Sequence, residues 1–238
     1  MHVIAVASCK GGTGKTTLAG HIAVAAERAG VKPALVVDTD PQGNLAEWWV
    51  ARQSHSPMFA EALPERLSAG VERIASLGVQ LLVIDTPPAL EAKVSAIIGI
   101  ADLVVIPVRP SPHDLRAVGA TATLAEQQGK PFVFVVNAAT PRTKILNEAV
   151  LALSQHGTVA PVILHHRTGF AGSMIDGRTV LEIPGNERSA QEIEQLWDYL
   201  AKRLATRPAA LPPAPAVSSD AALAADEVWV SQGLTPSE

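Results

Sequence analysis

The chain has 238 residues, a net charge of −4, and is 47% hydrophobic but only 4% aromatic. That length suits one α/β domain with a tail rather than two equal domains, and the composition requires a core of Ala, Val, Leu and Ile, as in a buried parallel sheet flanked by helices. Global disorder is excluded, and so is a protein that coats nucleic acid over its whole surface; any DNA contact would be a local, salt-sensitive basic patch.

Cys9 is the single cysteine, so no internal disulfide is possible, and Met1 leads into an apolar strand without the basic region of a signal peptide. A cytoplasmic location is expected. The longest apolar run, 97–108, is interrupted by Asp102 and falls short of the roughly 20 residues that span a bilayer.

Apolar, β-branched runs at 3–7, 34–38, 81–85, 103–108, 132–136 and 161–164 are separated by helix-length stretches. This rhythm predicts repeated βαβ units, a mostly parallel sheet with helices on both faces, and a ligand site at the carboxyl ends of the strands. After the first run comes Ser8-Cys9-Lys10-Gly11-Gly12-Thr13-Gly14-Lys15-Thr16-Thr17, then the helical stretch 18–28. A strand, a glycine-rich turn and a helix make a phosphate-binding loop: backbone N–H groups curl onto phosphate oxygens, Lys15 neutralises them, and Thr16 offers a hydroxyl to Mg²⁺. The strict P-loop pattern asks for glycine at position 9, where this chain has Cys9 followed by Lys10.

The second run ends in Asp38-Thr39-Asp40-Pro41-Gln42-Gly43, and the third in Asp85-Thr86-Pro87-Pro88. Carboxylates there can hold Mg²⁺ through water and orient an attacking water for phosphoryl transfer; the lesser alternative is that Asp38, or less so Asp40, merely caps the following helix. The fourth run continues as Arg109-Pro110-Ser111-Pro112-His113-Asp114, where Asp114 also reads as a first-turn helix acid. Asn137 follows the fifth run, where its own residue type reads as a turn former. Next come His165-His166-Arg167 and Gly177-Arg178-Thr179-Val180-Leu181-Glu182. The two histidines have no Cys or acid at ligand spacing beside them in sequence, so no zinc site is read there.

From Asn186, Ile193, Leu196, Trp197, Leu200 and Leu204 fall on one helical stripe, predicting the last helix. Beyond Arg207 the composition turns to Pro and Ala with no basic residue, so 1–205 is read as the ATPase domain and 206–238 as a disordered tail. The tail's one apolar patch, 228–230, could dock on a partner or pack back on its own domain.

Lys10-Gly11-Gly12-Thr13-Gly14-Lys15-Thr16-Thr17 resembles the deviant Walker A motif of the ParA/MinD family, most of all its small ParF-like partition ATPases, and the resemblance covers about 2–205. It implies a weak Mg²⁺-dependent ATPase that binds ATP and ADP, in which Lys10 reaches the phosphates of a second subunit in a nucleotide-sandwich homodimer. Lys10, Lys15 and Asp40 are the implied catalytic residues, with Asp40 positioning water. The nucleotide is held by Lys10, Gly11, Gly12, Thr13, Gly14, Lys15, Thr16 and Thr17, with Pro110, Asp114 and Asn137 beside it. Mg²⁺ is held by Thr16, and by Asp38 and Asp85 through water. Arg167 and Arg178 are the implied contacts for nonspecific DNA, with Arg188, Lys202 and Arg203 weaker, and an ordinary solvated face stays open for each. The resemblance also implies a ParB-like or other cargo adaptor and association with the nucleoid in the ATP state, to segregate DNA or position other cargo. No helix-turn-helix extension precedes the first strand, so sequence-specific operator binding is not expected.

Three other functions compete. A MinD-like membrane-bound positioner would need a basic amphipathic carboxyl-terminal helix, which the acidic tail does not supply. Nitrogenase-reductase-like redox chemistry would need cluster cysteines beyond Cys9. An ATP-dependent metabolic ligase or synthetase would use the same loop, and its turnover would follow a small substrate rather than DNA.

Overall fold

A computed structural model of the chain describes residues 1–88, 91–206 and 229–230. Its sheet has seven strands in the order β6-β5-β1-β4-β2-β3-β7. They are β1 (His2–Val6), β2 (Ala34–Asp38), β3 (Met58–Glu61), β4 (Leu81–Asp85), β5 (Leu103–Val108), β6 (Phe132–Val136) and β7 (Trp229–Val230). The first six are parallel, as the apolar rhythm predicts, and β7 alone runs antiparallel, pairing Val230 with Ala60 and Trp229 with Glu61 of β3.

Because strand side chains alternate faces, β1 contributes Val3 and Ala5 to one apolar layer and Ile4 and Val6 to the other, all fully buried. Against the Val3 side pack α3 (Pro64–Ser76), α4 (Glu91–Ile100), α5 (Pro112–Gln127) and α6 (Lys144–Ser154). The Ile4 side is covered by α1 (Lys15–Arg28), α2 (Asn44–Ala51), the short α7 (Thr168–Met174) and α8 (Glu187–Ala205). Helix α8 buries the five stripe residues read from sequence, Ile193, Leu196, Trp197, Leu200 and Leu204. Truncating a fully buried leucine such as Leu196 to alanine costs about 2–5 kcal/mol.

Two expectations need correction. Strand β3 is absent from the apolar runs because Met58-Phe59-Ala60-Glu61 has no β-branched residue and lies between Pro57 and Pro64. Conversely, 161–164 forms no regular strand. The stretch follows the edge of β6 through bonds such as Ala160 N–H to Phe134 O (2.8 Å) and Leu164 N–H to Val136 O (2.9 Å), with isolated bridges only. Most of the expected tail lies outside the described residues. At 229–230 the backbone packs back on its own domain.

β1 lies between β5 and β4: the chain winds from β1 to β2 and β3 on one side of it and from β4 across to β5 and β6 on the other. The crevice above its carboxyl end is therefore the topological switch point where ligands of open α/β sheets bind. The loops after β1, β2, β4, β5 and β6 meet there.

Candidate nucleotide site

The loop 8–14 is fastened from both sides. Ala7 N–H bonds to Val105 O (3.0 Å) and Cys9 N–H to the Thr121 hydroxyl on α5 (3.0 Å). Gly14 begins α1 in a left-handed conformation (φ 93°), and a Cβ there would lie 2.4 Å from Asn137 Nδ2, so only glycine fits. The Asn137 amide donates to Thr13 O (2.8 Å), and its oxygen accepts from Ala138 N–H (2.9 Å). Asn137, expected beside the nucleotide, thus buttresses the phosphate loop through its side-chain amide.

Lys15 is buried, and its ammonium donates to Lys10 O (3.3 Å). Burial pulls its pKa below the usual lysine range, opposed by Asp85 and Asp40. The Thr16 hydroxyl donates to Asp85 Oδ2 (2.6 Å), bringing together the two residues expected at the metal. Asp85 is 1% exposed, and burial pushes its carboxyl up to about 7 against the Thr16 hydrogen bond.

Asp38 departs from expectation. Its Oδ1 accepts from Asp40 N–H (2.9 Å), and its Oδ2 accepts from Leu45 and Ala46 N–H (3.0 Å each) in the first turn of α2. Burial raises its pKa, and these three backbone donors oppose the rise. The helix-capping alternative thus describes Asp38 as it stands here. Asp40 lines the phosphate cavity itself, with Oδ1 accepting from Gln42 N–H (3.0 Å).

Two cavities meet over the loop. The first, about 600 Å³, is lined by Gly11, Gly12 and 14–17 of the P-loop and by Asp40, together with Trp48, Arg109 and Ile175. The second, about 170 Å³, lies between Asn137, His166, Phe170 and Ile193. Gly14, Thr17 and Arg109 line both, so together the cavities suit a phosphate chain joined to a base. Sequence reading did not pick out Trp48, Phe170, Met174 or Ile175, because neither composition nor spacing marks an apolar wall residue as a site residue. Pro110, though beside Arg109, lines neither cavity.

Lys10 points away from the phosphate cavity and pairs with Asp114 on α5. Ser111 caps that helix: its hydroxyl accepts from Asp114 N–H (3.2 Å) and donates to Asp114 Oδ2 (2.6 Å). Burial works against the Asp114 carboxylate, but the bonds from Lys10 and Ser111 outweigh it and hold its pKa low. Asp114 is both a first-turn helix acid and the anchor of Lys10.

The two candidate DNA contacts are already paired. Arg167 makes a fork to Glu192 (2.6 and 2.8 Å), which His165 also engages (2.7 Å). Arg178 is exposed and pairs with the exposed Asp176, its Nε 2.9 Å from Oδ2. Neither is a free cation.

Mg²⁺ and nucleotide fit these residues. Asp85 Oδ1 and Thr13 Oγ1 are buried without a hydrogen-bond partner among the described residues, an arrangement that costs free energy unless a ligand satisfies it. Among the described residues no three His, Cys, Asp or Glu side chains converge as a metal site. A Mg²⁺ held at Thr16 and Asp85 would therefore take most of its oxygens from phosphate and water, its habit at nucleotide sites.

The CobQ/CobB/MinD/ParA nucleotide binding domain model matches residues 4–180, most of the chain and all of the P-loop. The chain belongs to this family. It is accordingly a ParA/MinD-type P-loop ATPase. Among curated relatives it is 33% identical over 210 residues to the maintenance of carboxysome distribution protein A of Gloeobacter kilaueensis, covering 85% of this chain and 93% of that protein. It is 30% identical over 197 residues to the protein ParA of Rhizobium radiobacter, covering 80% of each. Among solved structures, the MinD cell division protein of Aquifex aeolicus superposes with a TM-score of 0.71 at 20% identity, covering 85% of this chain and 98% of that one. The ATP complex of Cyanothece McdA gives 0.66 at 16% identity, covering 84% and 96%. No described helix of this ParA/MinD-family chain is long and apolar enough to cross a membrane.

Proposed function

We propose that this ATPase positions cargo by a monomer-to-dimer switch: Mg²⁺ and ATP fill the cavity, two copies close across two nucleotides, and the dimer binds DNA without sequence preference. A ParB-like or other cargo adaptor stimulates hydrolysis and releases it. The observation that carries the reading is Lys10. It belongs to the phosphate loop yet is turned out of the cavity and held on Asp114, so it is available to a neighbouring subunit once that pair exchanges. Relatives named for carboxysome distribution and chromosome partitioning support a positioning role. They leave the cargo of this chain open between DNA and protein.

Within that reading, Lys15 and the loop N–H groups face the phosphates, Thr16 and Asp85 face the metal, and Asp40 orients the attacking water. Of the two arginines, Arg178 is the better DNA contact. Its pair with Asp176 is exposed and cheap to exchange, whereas Arg167 would have to leave a half-buried fork. Binding to unrelated duplex DNA, with ATP against ADP in Mg²⁺, at two salt concentrations and in an Asp40→Ala background that prevents turnover, tests the proposal. ATP-dependent, salt-weakened binding that Lys15→Ala abolishes supports it. Absence of binding in both nucleotide states refutes the DNA surface and points to protein cargo.

A further inference from the structure

A run of polar contacts that the nucleotide reading leaves unused joins the Asp40 loop to the P-loop helix. The loop passes through Gly43 into α2, and Arg52 closes the far end of that helix. The Arg52 side chain is 4% exposed. Its fork takes both oxygens of Glu182 (2.6 and 2.9 Å) and donates to Gly177 O (2.7 Å), while Nε donates to Ser56 O (2.7 Å). One turn earlier, the Trp48 indole N–H donates to Arg178 O (3.0 Å).

Glu182 Oε2 also accepts from the Thr179 N–H (2.8 Å) and hydroxyl (2.9 Å). The next N–H, of Val180, donates to His21 Nε2 (3.1 Å), and the His21 Nδ1–H reaches Thr17 O (2.7 Å), one residue past Thr16. Contacts therefore run without a break from the first turn of α1, through 177–182, to the end of α2.

A desolvated fork of this kind contributes little net stability compared with apolar residues of the same volume, but it fixes one geometry where an apolar contact tolerates sliding. Helix α2 also packs through Leu45 and Trp48. The ion pair adds a fixed register.

Resting on the reading of the cavity as an ATP hydrolysis site, we propose that the Arg52–Glu182 pair is a positioning element for hydrolysis. It locks α2 to the 177–182 segment and so sets where Asp40 stands relative to Lys15 and Thr16. The segment that presents Arg178 outward thus also works inward, as a brace.

The test uses the full-length protein and steady-state ATP hydrolysis in Mg²⁺. Glu182→Gln keeps the shape and removes the charge; kcat should fall about tenfold, which is 1.4 kcal/mol of barrier, with KM for ATP and affinity for ADP within about twofold of wild type. Thr179→Val, which removes one donor to Glu182, should lower kcat by about threefold, and Thr179→Ser, which keeps that donor, should restore it. This milder pair carries the test by itself if Glu182→Gln does not fold. An unchanged kcat overturns the proposal. So does a kcat that falls only in step with nucleotide affinity and melting temperature, which marks a merely structural role. If wild-type hydrolysis survives Lys15→Ala, the site reading itself fails, and that outcome is separate from any effect at Glu182.

Discussion

His21 is fully buried on α1, and its two ring bonds fix its protonation: Nδ1–H donates to a carbonyl and Nε2 accepts from a backbone N–H, so the ring is neutral. Burial lowers its pKa from 6.5 to about 4, against the Thr17 bond, which favours the charged form. The unfolded chain takes a proton here below pH 6.5 and the folded chain does not, so stability is fully present above 6.5 and is lost as pH falls toward 4. Between pH 7.5 and 5.0 the loss from this one group is about 2 kcal/mol. Urea unfolding of wild type and His21→Asn at several pH values isolates it, because all other titrations cancel in the difference. The variant should be less stable at pH 7.5, having lost well-placed hydrogen bonds, and the gap should narrow by about 2 kcal/mol at pH 5.0. A gap that stays constant with pH would refute a neutral, buried His21.

Two further substitutions probe the surroundings. Asp114→Asn removes the charge that holds Lys10 and should lower the protein concentration at which ATP drives dimerisation by about fivefold, roughly 1 kcal/mol for a pair whose lysine is partly exposed, as measured by analytical ultracentrifugation. A rise in that concentration would instead place the pair inside the dimer. Gly177→Ala introduces a Cβ 2.2 Å from Arg52 N at a residue with φ +74°, and should cost about 3 kcal/mol in urea unfolding. Gly172→Ala, where the added methyl meets nothing within 4 Å, is the matched control and should leave stability within about 0.5 kcal/mol.

The parallel sheet, the P-loop and the last helix were legible because each rests on local pattern: β-branched runs, glycines with a following lysine, and a 3.6-residue stripe. Asp85 and Thr16 could be singled out for the same reason, both standing at strand or loop ends beside the P-loop, and the structure brings them within hydrogen-bond distance of each other. What escaped sequence reading depends on long-range contact. Glu192 lies 25 residues from Arg167 and Glu182 lies 130 from Arg52, so no window along the chain shows that these cations are already matched. Asp38 and Asn137 carry side chains suited to ligands, and only the positions of the α2 N-terminus and of Thr13 reveal that backbone groups occupy them.

Both margins of the sheet meet further chain among the described residues, 158–165 along β6 and β7 at Ala60 and Glu61 of β3. The second comes from the far carboxyl-terminal end of the chain. A protein shortened after α8 to ease expression would present the main-chain N–H and C=O groups of β3 to any neighbour, and strand-to-strand association there needs neither ATP nor Lys10. Such a product is expected to sediment as a dimer with nucleotide absent, so the proposed oligomeric switch has to be measured on a chain that keeps its last residues.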